Sequence, residues 1–180
     1  MAQTINDKIL EKLYDYIEDT HALEQAAVDS VGSMIDSLDG TELQGLLERQ
    51  RQVSRLHAER LSNRLDALGR DASMRKRLEG MAVTLMKSVS DAVRTDAPGK
   101  VGRDAYLLAH AQVAAYELLR RLADYAGDTE TADIARTNLD EDRKLAEEVA
   151  EHWDAFLRLT VAGWEDRAAA PSEPSSNDFV

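Results

Sequence analysis

The 180-residue chain contains no cysteine, and this absence excludes several kinds of chemistry. Without cysteine the protein can have no disulfide bond, no thiol nucleophile and no thiolate ligand for a metal. Proline is also scarce, since only Pro98, Pro171 and Pro174 are present, and two of these lie in the last ten residues. Most of the chain is therefore free of the strongest helix breaker.

Aromatic residues make up only 5% of the chain and charged residues 31%, a balance that favours helices over sheets. Basic residues are outnumbered 22 to 34, giving a net charge of −12, which argues against nucleic acid as a partner. No apolar run approaches the roughly 18 residues of a membrane span, and the N-terminus lacks the apolar core of a signal peptide. We therefore expect a cytoplasmic protein with no membrane partner.

The spacing of apolar residues predicts helices, and no segment shows the alternation typical of strands. Turn signals at Gly40, Gly69 and Gly127, with an internal loop over residues 95–102, divide the chain into five helices. Their predicted ranges are about 4–38, 41–68, 72–93, 103–125 and 128–164. Long helices joined by short turns are typical of an antiparallel bundle, in which the shorter third helix would be a crossover. We expect one domain over residues 1–167 and a disordered Pro/Ser-rich tail over 168–180.

Four of these helices carry a polar residue within the apolar stripe that should face the core. These residues are Glu24, His57, Gln112 and Asp142, whereas Glu141 lies well off the stripe of its helix. A buried carboxylate is costly unless something pairs with it, so polar residues on four stripes should meet. Two interpretations remain open at this point: a metal site, or a buried hydrogen-bond network without metal.

Three segments of the chain resemble the YciF-type ferritin-like proteins: DYIEDTHALEQAAVDSV, LHAERLSNRLDALG and AAYELLRRLADYAGDTETADIARTNLDED. Together they extend over roughly residues 10 to 162. The resemblance implies an all-α, ferritin-like four-helix bundle with an additional short crossover helix. It also implies a homodimer and an association with stress responses.

Such proteins are similar to di-iron carboxylate bundles, which hold two metals with four glutamates and two histidines. The resemblance places Glu24, His57 and Asp142 at ligand positions and Gln112 at a hydrogen-bonding position beside them. The residue three before His57 is Ser54, and no histidine lies three residues after Asp142. The chain therefore offers too few carboxylates for two metals.

The first functional hypothesis is a stress-associated protein that binds one ion of iron or manganese through Glu24, His57 and Asp142, with water or His21 completing the site. Zinc fits the same ligands. The alternative is a metal-free bundle that acts through dimerisation or partner binding, and an enzymatic activity is left open. A further hypothesis is that the tail docks to a partner or shell through Phe179 and Val180.

Overall fold

The computed structural model describes residues 2–38, 40–69 and 97–169, which contain five α-helices and confirm the all-α prediction. The predicted crossover helix at 72–93 and nearly all of the predicted tail lie outside these residues. None of the described helices combines the length and apolar character that crossing a membrane requires. The helices are α1 (Ala2–Ser37), α2 (Gln44–Ala67), α3 (Ala97–Ala126), α4 (Thr129–Glu151) and α5 (Trp153–Ala169).

Four of the helices surround a common core. Helix α1 packs against α2 and α3, and α4 packs against α3 and α2, so the order around the bundle is α1, α2, α4, α3. Gly40 and Gly127, both with positive φ, lie in the turns after α1 and α3, where glycine is the residue with the least strain. The short α5 packs mainly on α3.

The core consists of two apolar clusters with a polar layer between them. One cluster, which includes Leu38, Leu43 and Phe156, fills the end near the α1–α2 turn. The other, which includes Leu13 and Leu119, fills the opposite end. In sequence, most of the buried polar residues of α1 to α4, among them Glu24, His57, Gln112 and Asp142, lie between the residues of these two clusters. The apolar clusters hold the four helices together, and they keep the polar layer at mid-height and away from water.

The start of α3 differs from the prediction, because residues 97–102 are helical and not part of a loop. Pro98 lies in the first turn of α3. N–H groups in this turn make no hydrogen bond within the helix, so the absence of one in proline costs nothing, and the fixed φ of proline suits the helix. Gly102 lies against Phe156 of α5, and a Cβ atom built on Gly102 would come 2.6 Å from Phe156 Cγ. Pro98 and Gly102 therefore mark a tightly packed helix start and not a flexible connection.

The last predicted helix is interrupted at one residue. The N–H of His152 donates to the Val149 carbonyl and ends α4, and α5 begins at Trp153. The His152 carbonyl then accepts hydrogen bonds from the N–H groups of Ala155 and Phe156. The interruption places the fully buried ring of Phe156 against α3.

Candidate metal centre

The four polar residues predicted to face the core are all buried in the middle layer. His57 Nδ1 lies 3.1 Å from Glu24 Oε1 and 3.5 Å from Asp142 Oδ1. One ligand atom from each of Glu24, His57 and Asp142 lies within 4.8 Å of the other two. Helices α1, α2 and α4 each contribute one of these residues, and within the described residues this is the group whose spacing could hold a metal ion.

Gln112, on α3, completes the layer as a hydrogen-bond donor. Its Nε2 atom donates to Glu24 Oε2 at 2.6 Å and to Ser54 Oγ at 2.9 Å. Since an ionised carboxylate can only accept, this contact fixes the orientation of the amide. Gln112 therefore restrains Glu24 through one carboxylate oxygen, while the other oxygen faces His57.

His21 lies outside this group of ligand atoms. It is buried one turn before Glu24, with its Nε2 atom 3.5 Å from Gln25 Nε2. The side chain lines a cavity of about 400 Å³ between α1 and α2, together with Arg55 and Glu59. The structure therefore places this predicted ligand in the groove between the two helices and not with Asp142.

Glu141 is a site residue that the periodicity did not identify. Its Oε2 atom lies 2.8 Å from His57 Nε2, and Arg60 holds both carboxylate oxygens at 2.5 and 3.2 Å. The hydrogen bond from Arg60, with a smaller contribution from His57, lowers the pKa of Glu141. Glu141 is 35% exposed. A long side chain at the edge of a stripe can reach inward, and no local pattern in the sequence indicates the pairing of Glu141 with Arg60, which lies 81 residues away.

Asp142 is the least satisfied group of the layer. Neither of its carboxylate oxygens has a hydrogen-bond partner, and both are buried. Burial, followed by the nearby charges of Glu24 and Glu141, raises the pKa of Asp142 to about 9. The folded protein therefore holds this carboxyl in a form that is neutral at pH 7 unless a cation compensates the charge.

Tyr116 closes the layer from α3. Its buried ring meets His57 edge-on, with 5.4 Å between centroids, and its hydroxyl lacks a hydrogen-bond partner. Burial, with Glu24 as the next cause, raises the pKa of Tyr116 well above its ordinary value. Gln112 Oε1 and Asn138 Nδ2 are likewise buried without partners. Each such atom costs about 1–3 kcal/mol, so the layer is suited to an additional ion or water molecule.

The donor atoms fit one metal ion and not two. Two carboxylates and an imidazole nitrogen are ligands that iron, manganese and zinc accept. A two-metal centre needs further carboxylates near Glu24. The side chains found there, Ser54 and Gln112, are an alcohol and an amide and not carboxylates. The metal-site chemistry available to the described residues is therefore that of a single ion with open coordination positions.

The whole chain, and not only this layer, was compared with known protein families and solved structures. The profile of the family described as domain of unknown function (DUF892) matches residues 8–162. A protein from Xanthomonas campestris pv. campestris matches with a TM-score of 0.67 and 23% identity, over 88% of this chain and 97% of that one.

Two further solved structures are similar. The E. coli stress protein YciF matches with a TM-score of 0.65 and 13% identity, over 83% of this chain and 97% of that one. YcfI from Rhodopseudomonas palustris, described as a putative structural protein, matches with a TM-score of 0.65 and 19% identity, over 79% and 92%. These likenesses confirm the ferritin-like bundle that the sequence predicted.

Proposed function

This chain belongs to the DUF892 family, and we propose that it binds one divalent transition-metal ion in the polar layer of its bundle. Glu24 and Asp142 would supply carboxylate oxygens, and His57 would supply Nδ1. Gln112 and Glu141 would hold the ligands in place without binding the metal. The ion is iron or manganese, both of which accept this mixed nitrogen and oxygen set.

The observation that carries the proposal is the position of His57 between three carboxylates. Nε2 lies within hydrogen-bond distance of Glu141, and in the tautomer that carries its proton on Nε2 the lone pair of Nδ1 would be directed at Glu24 and Asp142. Three acceptor atoms that converge in this way require a cation or shared protons between them. Metal-binding histidines commonly donate their other N–H to a carboxylate in this arrangement.

The unpaired oxygens of Asp142 support the same proposal. A proton on Asp142 compensates its charge but gives the other carboxylate oxygen no partner. A bound divalent ion would replace that proton and also neutralise Glu24. The bundle would therefore gain stability from the metal, in addition to any chemistry that the metal supports.

A stress-associated role fits the description of one relative. The E. coli protein of the same fold is described as a stress protein. We propose that this chain has a stress-associated role in which the bound ion is stored or reacts with an oxidant. The hydroxyl of Tyr116 and the amide nitrogen of Asn138, both buried without partners, would be available to hold a small oxygen-containing ligand in this layer.

The test is equilibrium binding of Fe(II) and Mn(II) to metal-free protein under anaerobic conditions, with metal content measured by mass spectrometry. Wild type should take up one ion per chain, and Asp142→Asn and His57→Gln should each reduce the affinity by at least about 100-fold, or roughly 2.8 kcal/mol. Asp140→Asn is the matched control, because Asp140 lies on the same helix with its side chain 59% exposed.

The alternative function is a metal-free bundle that acts through protein contacts. The hydrogen bonds of Gln112 to Glu24 and Ser54 favour it, because they satisfy part of the layer without a cation. Wild type that takes up neither ion, in protein that is folded by circular dichroism, would reject the metal proposal. Asp142→Asn should then stabilise the protein, since it removes a buried acid without a partner.

A further inference from the structure

The cavity between α1 and α2, which we call the α1–α2 groove, has a polar rim and a nearly buried histidine at its floor. The rim includes the exposed side chains of Asp29, Arg55 and Glu59. The floor is formed by His21 and Ala58, which are only 6% and 8% exposed. An imidazole in this position meets whatever enters the groove from solvent, although it lies outside the group of candidate metal ligands.

The floor of the α1–α2 groove lies next to two of the proposed metal ligands. His21 precedes Glu24 by three residues on α1, and residues with this spacing are neighbours on a helix surface, with about 5–6 Å between Cβ atoms. Ala58 directly follows His57 on α2, and its methyl group takes up little of the space beside that ring. On this side of the bundle the floor of the groove is therefore the boundary between solvent and the buried layer.

The register of α1 against α2 places one negative charge beside this floor. The register of the two antiparallel helices is given by two contacts, those of Glu24 with His57 and of Val28 with Arg51. By this register Glu59 lies near the height of His21, whereas Arg55 lies towards Asp29. The guanidinium of Arg55 and the carboxylate of Asp29 offset one another in charge. The carboxylate of Glu59 is therefore the charge that a cation meets on its way to His21.

The other sides of the layer are less suited to the passage of a cation. Between α2 and α4, Arg60 holds both carboxylate oxygens of Glu141, and the positive charge of its guanidinium repels a cation. Towards α3 the layer is closed by the side chains of Gln112 and Tyr116, which are 1% and 0% exposed. In the α1–α2 groove, by contrast, a carboxylate at the rim and an imidazole at the floor precede the ligands.

We propose that the α1–α2 groove is the route by which a divalent metal ion enters and leaves the buried layer. This inference rests on the metal site proposed above. Glu59 attracts the hydrated ion from solvent, and His21 binds it transiently through an imidazole nitrogen before it reaches Glu24. Carboxylate oxygen and imidazole nitrogen are ligands that iron and manganese both accept. His21 is thus a transit group for the ion and not a permanent ligand.

A transit group changes the rates of metal exchange and leaves the equilibrium unchanged, because the ion crosses the same barrier in both directions. His21→Leu keeps the floor filled but removes the imidazole. Uptake and release of Mn(II) should each slow by about 10-fold, while the dissociation constant should change by less than about threefold. Stopped-flow fluorescence of a dye that responds to free Mn(II) measures uptake by the metal-free full chain and release into excess dye.

Glu59→Arg tests the rim at an exposed position, where a change of side chain leaves the core intact. At about 0.1 M salt, where charges are screened over about 10 Å, it should slow uptake by about 3–10-fold. Glu48→Arg is the matched control, since it makes the same change of charge at an exposed position of α2 about 16 Å along the helix. Its uptake rate should stay within about twofold of that of wild type.

The outcomes separate this route from the metal site itself. Wild-type rates in both His21→Leu and Glu59→Arg, in proteins that bind Mn(II), would overturn the route and leave the site standing. A weaker affinity with unchanged uptake in His21→Leu would make His21 a ligand, and this result would overturn the route as well. A wild type that binds no Mn(II) would reject the proposed function, and the route with it.

Discussion

His57 Nε2 lies 2.8 Å from Oε2 of Glu141, a contact between residues 84 apart in sequence that joins a fully buried imidazole to a partly exposed carboxylate. Arg60 holds the same carboxylate from the solvent side. The ring of His57 is thereby fixed in rotation, and its Nδ1 atom is kept towards Glu24. This contact determines how the buried layer can use the imidazole of His57.

Glu141→Gln should therefore lower the affinity for metal by about 10–100-fold without changing the number of ions bound at saturation. The amide still fits the space but no longer attracts the Nε2–H of His57 with a full charge. Titration of metal-free protein with Fe(II) or Mn(II) measures both quantities. Glu147→Gln, at an exposed position of α4, should bind as wild type does. An affinity equal to wild type in Glu141→Gln would show that the contact does not orient a ligand.

The metal-free protein should lose stability as the pH rises. Asp142 has an ordinary pKa of 3.8 and a folded pKa of about 9, so between these values the folded state holds a proton that the unfolded state has released. Stability then falls with rising pH, and the contribution of this group is lost as the pH passes its folded pKa. Between about pH 6 and pH 9 the loss should be on the order of 2–4 kcal/mol.

The measurement is urea unfolding of metal-free wild type and of Asp142→Asn at both pH values. The asparagine variant cannot ionise at this position, so its stability should change less over this range. The difference between the two proteins isolates Asp142 from the other groups that titrate. Parallel pH dependences in the two proteins would mean that Asp142 ionises normally in the fold.

Gly102→Ala should destabilise the bundle by about 1–2 kcal/mol, although alanine is the better helix former by about 1 kcal/mol. The added methyl group would collide with the buried ring of Phe156, which has little room to move. Gly45→Ala is the matched control, because a Cβ atom there meets only the flexible end of Arg49, at 3.8 Å. Thermal or urea unfolding should show Gly45→Ala equal to or more stable than wild type. Stabilisation by both changes would contradict the close α3–α5 packing.

Arg64→Ala should cost about 1–3 kcal/mol of unfolding free energy. Arg64 donates to both oxygens of Asp128 at 2.8 Å and to Thr131 Oγ1 at 2.9 Å, and the arginine and aspartate side chains are largely buried. Asp128 is also the N-cap of α4, so the pair connects the end of α2 to the start of α4. Arg136→Ala removes an exposed pair with Asp133 and should cost less than about 0.5 kcal/mol. Urea unfolding at neutral pH compares the two variants.

Much of the fold could be predicted because helices depend on local patterns. The 3.6-residue spacing of apolar side chains correctly predicted four long helical segments. Three of their ends lie near Gly40, Gly69 and Gly127. The segment 95–102 was assigned wrongly to a loop. Proline and glycine are typical of loops, but the packing of Gly102 on Phe156 allows the helix to begin at Ala97.

The sequence by itself determined that Glu24, His57, Gln112 and Asp142 lie on core-facing stripes, because helical periodicity fixes the direction of each side chain. It could not determine which of their atoms face one another, since this depends on the rotation and height of helices whose residues are far apart in sequence, as Glu24 and Gln112 are, 88 residues apart. Only the tertiary structure brought Glu141 to His57, directed His21 into a groove and left both oxygens of Asp142 unpaired. These features follow from packing between helices and from side-chain reach, which local periodicity does not encode.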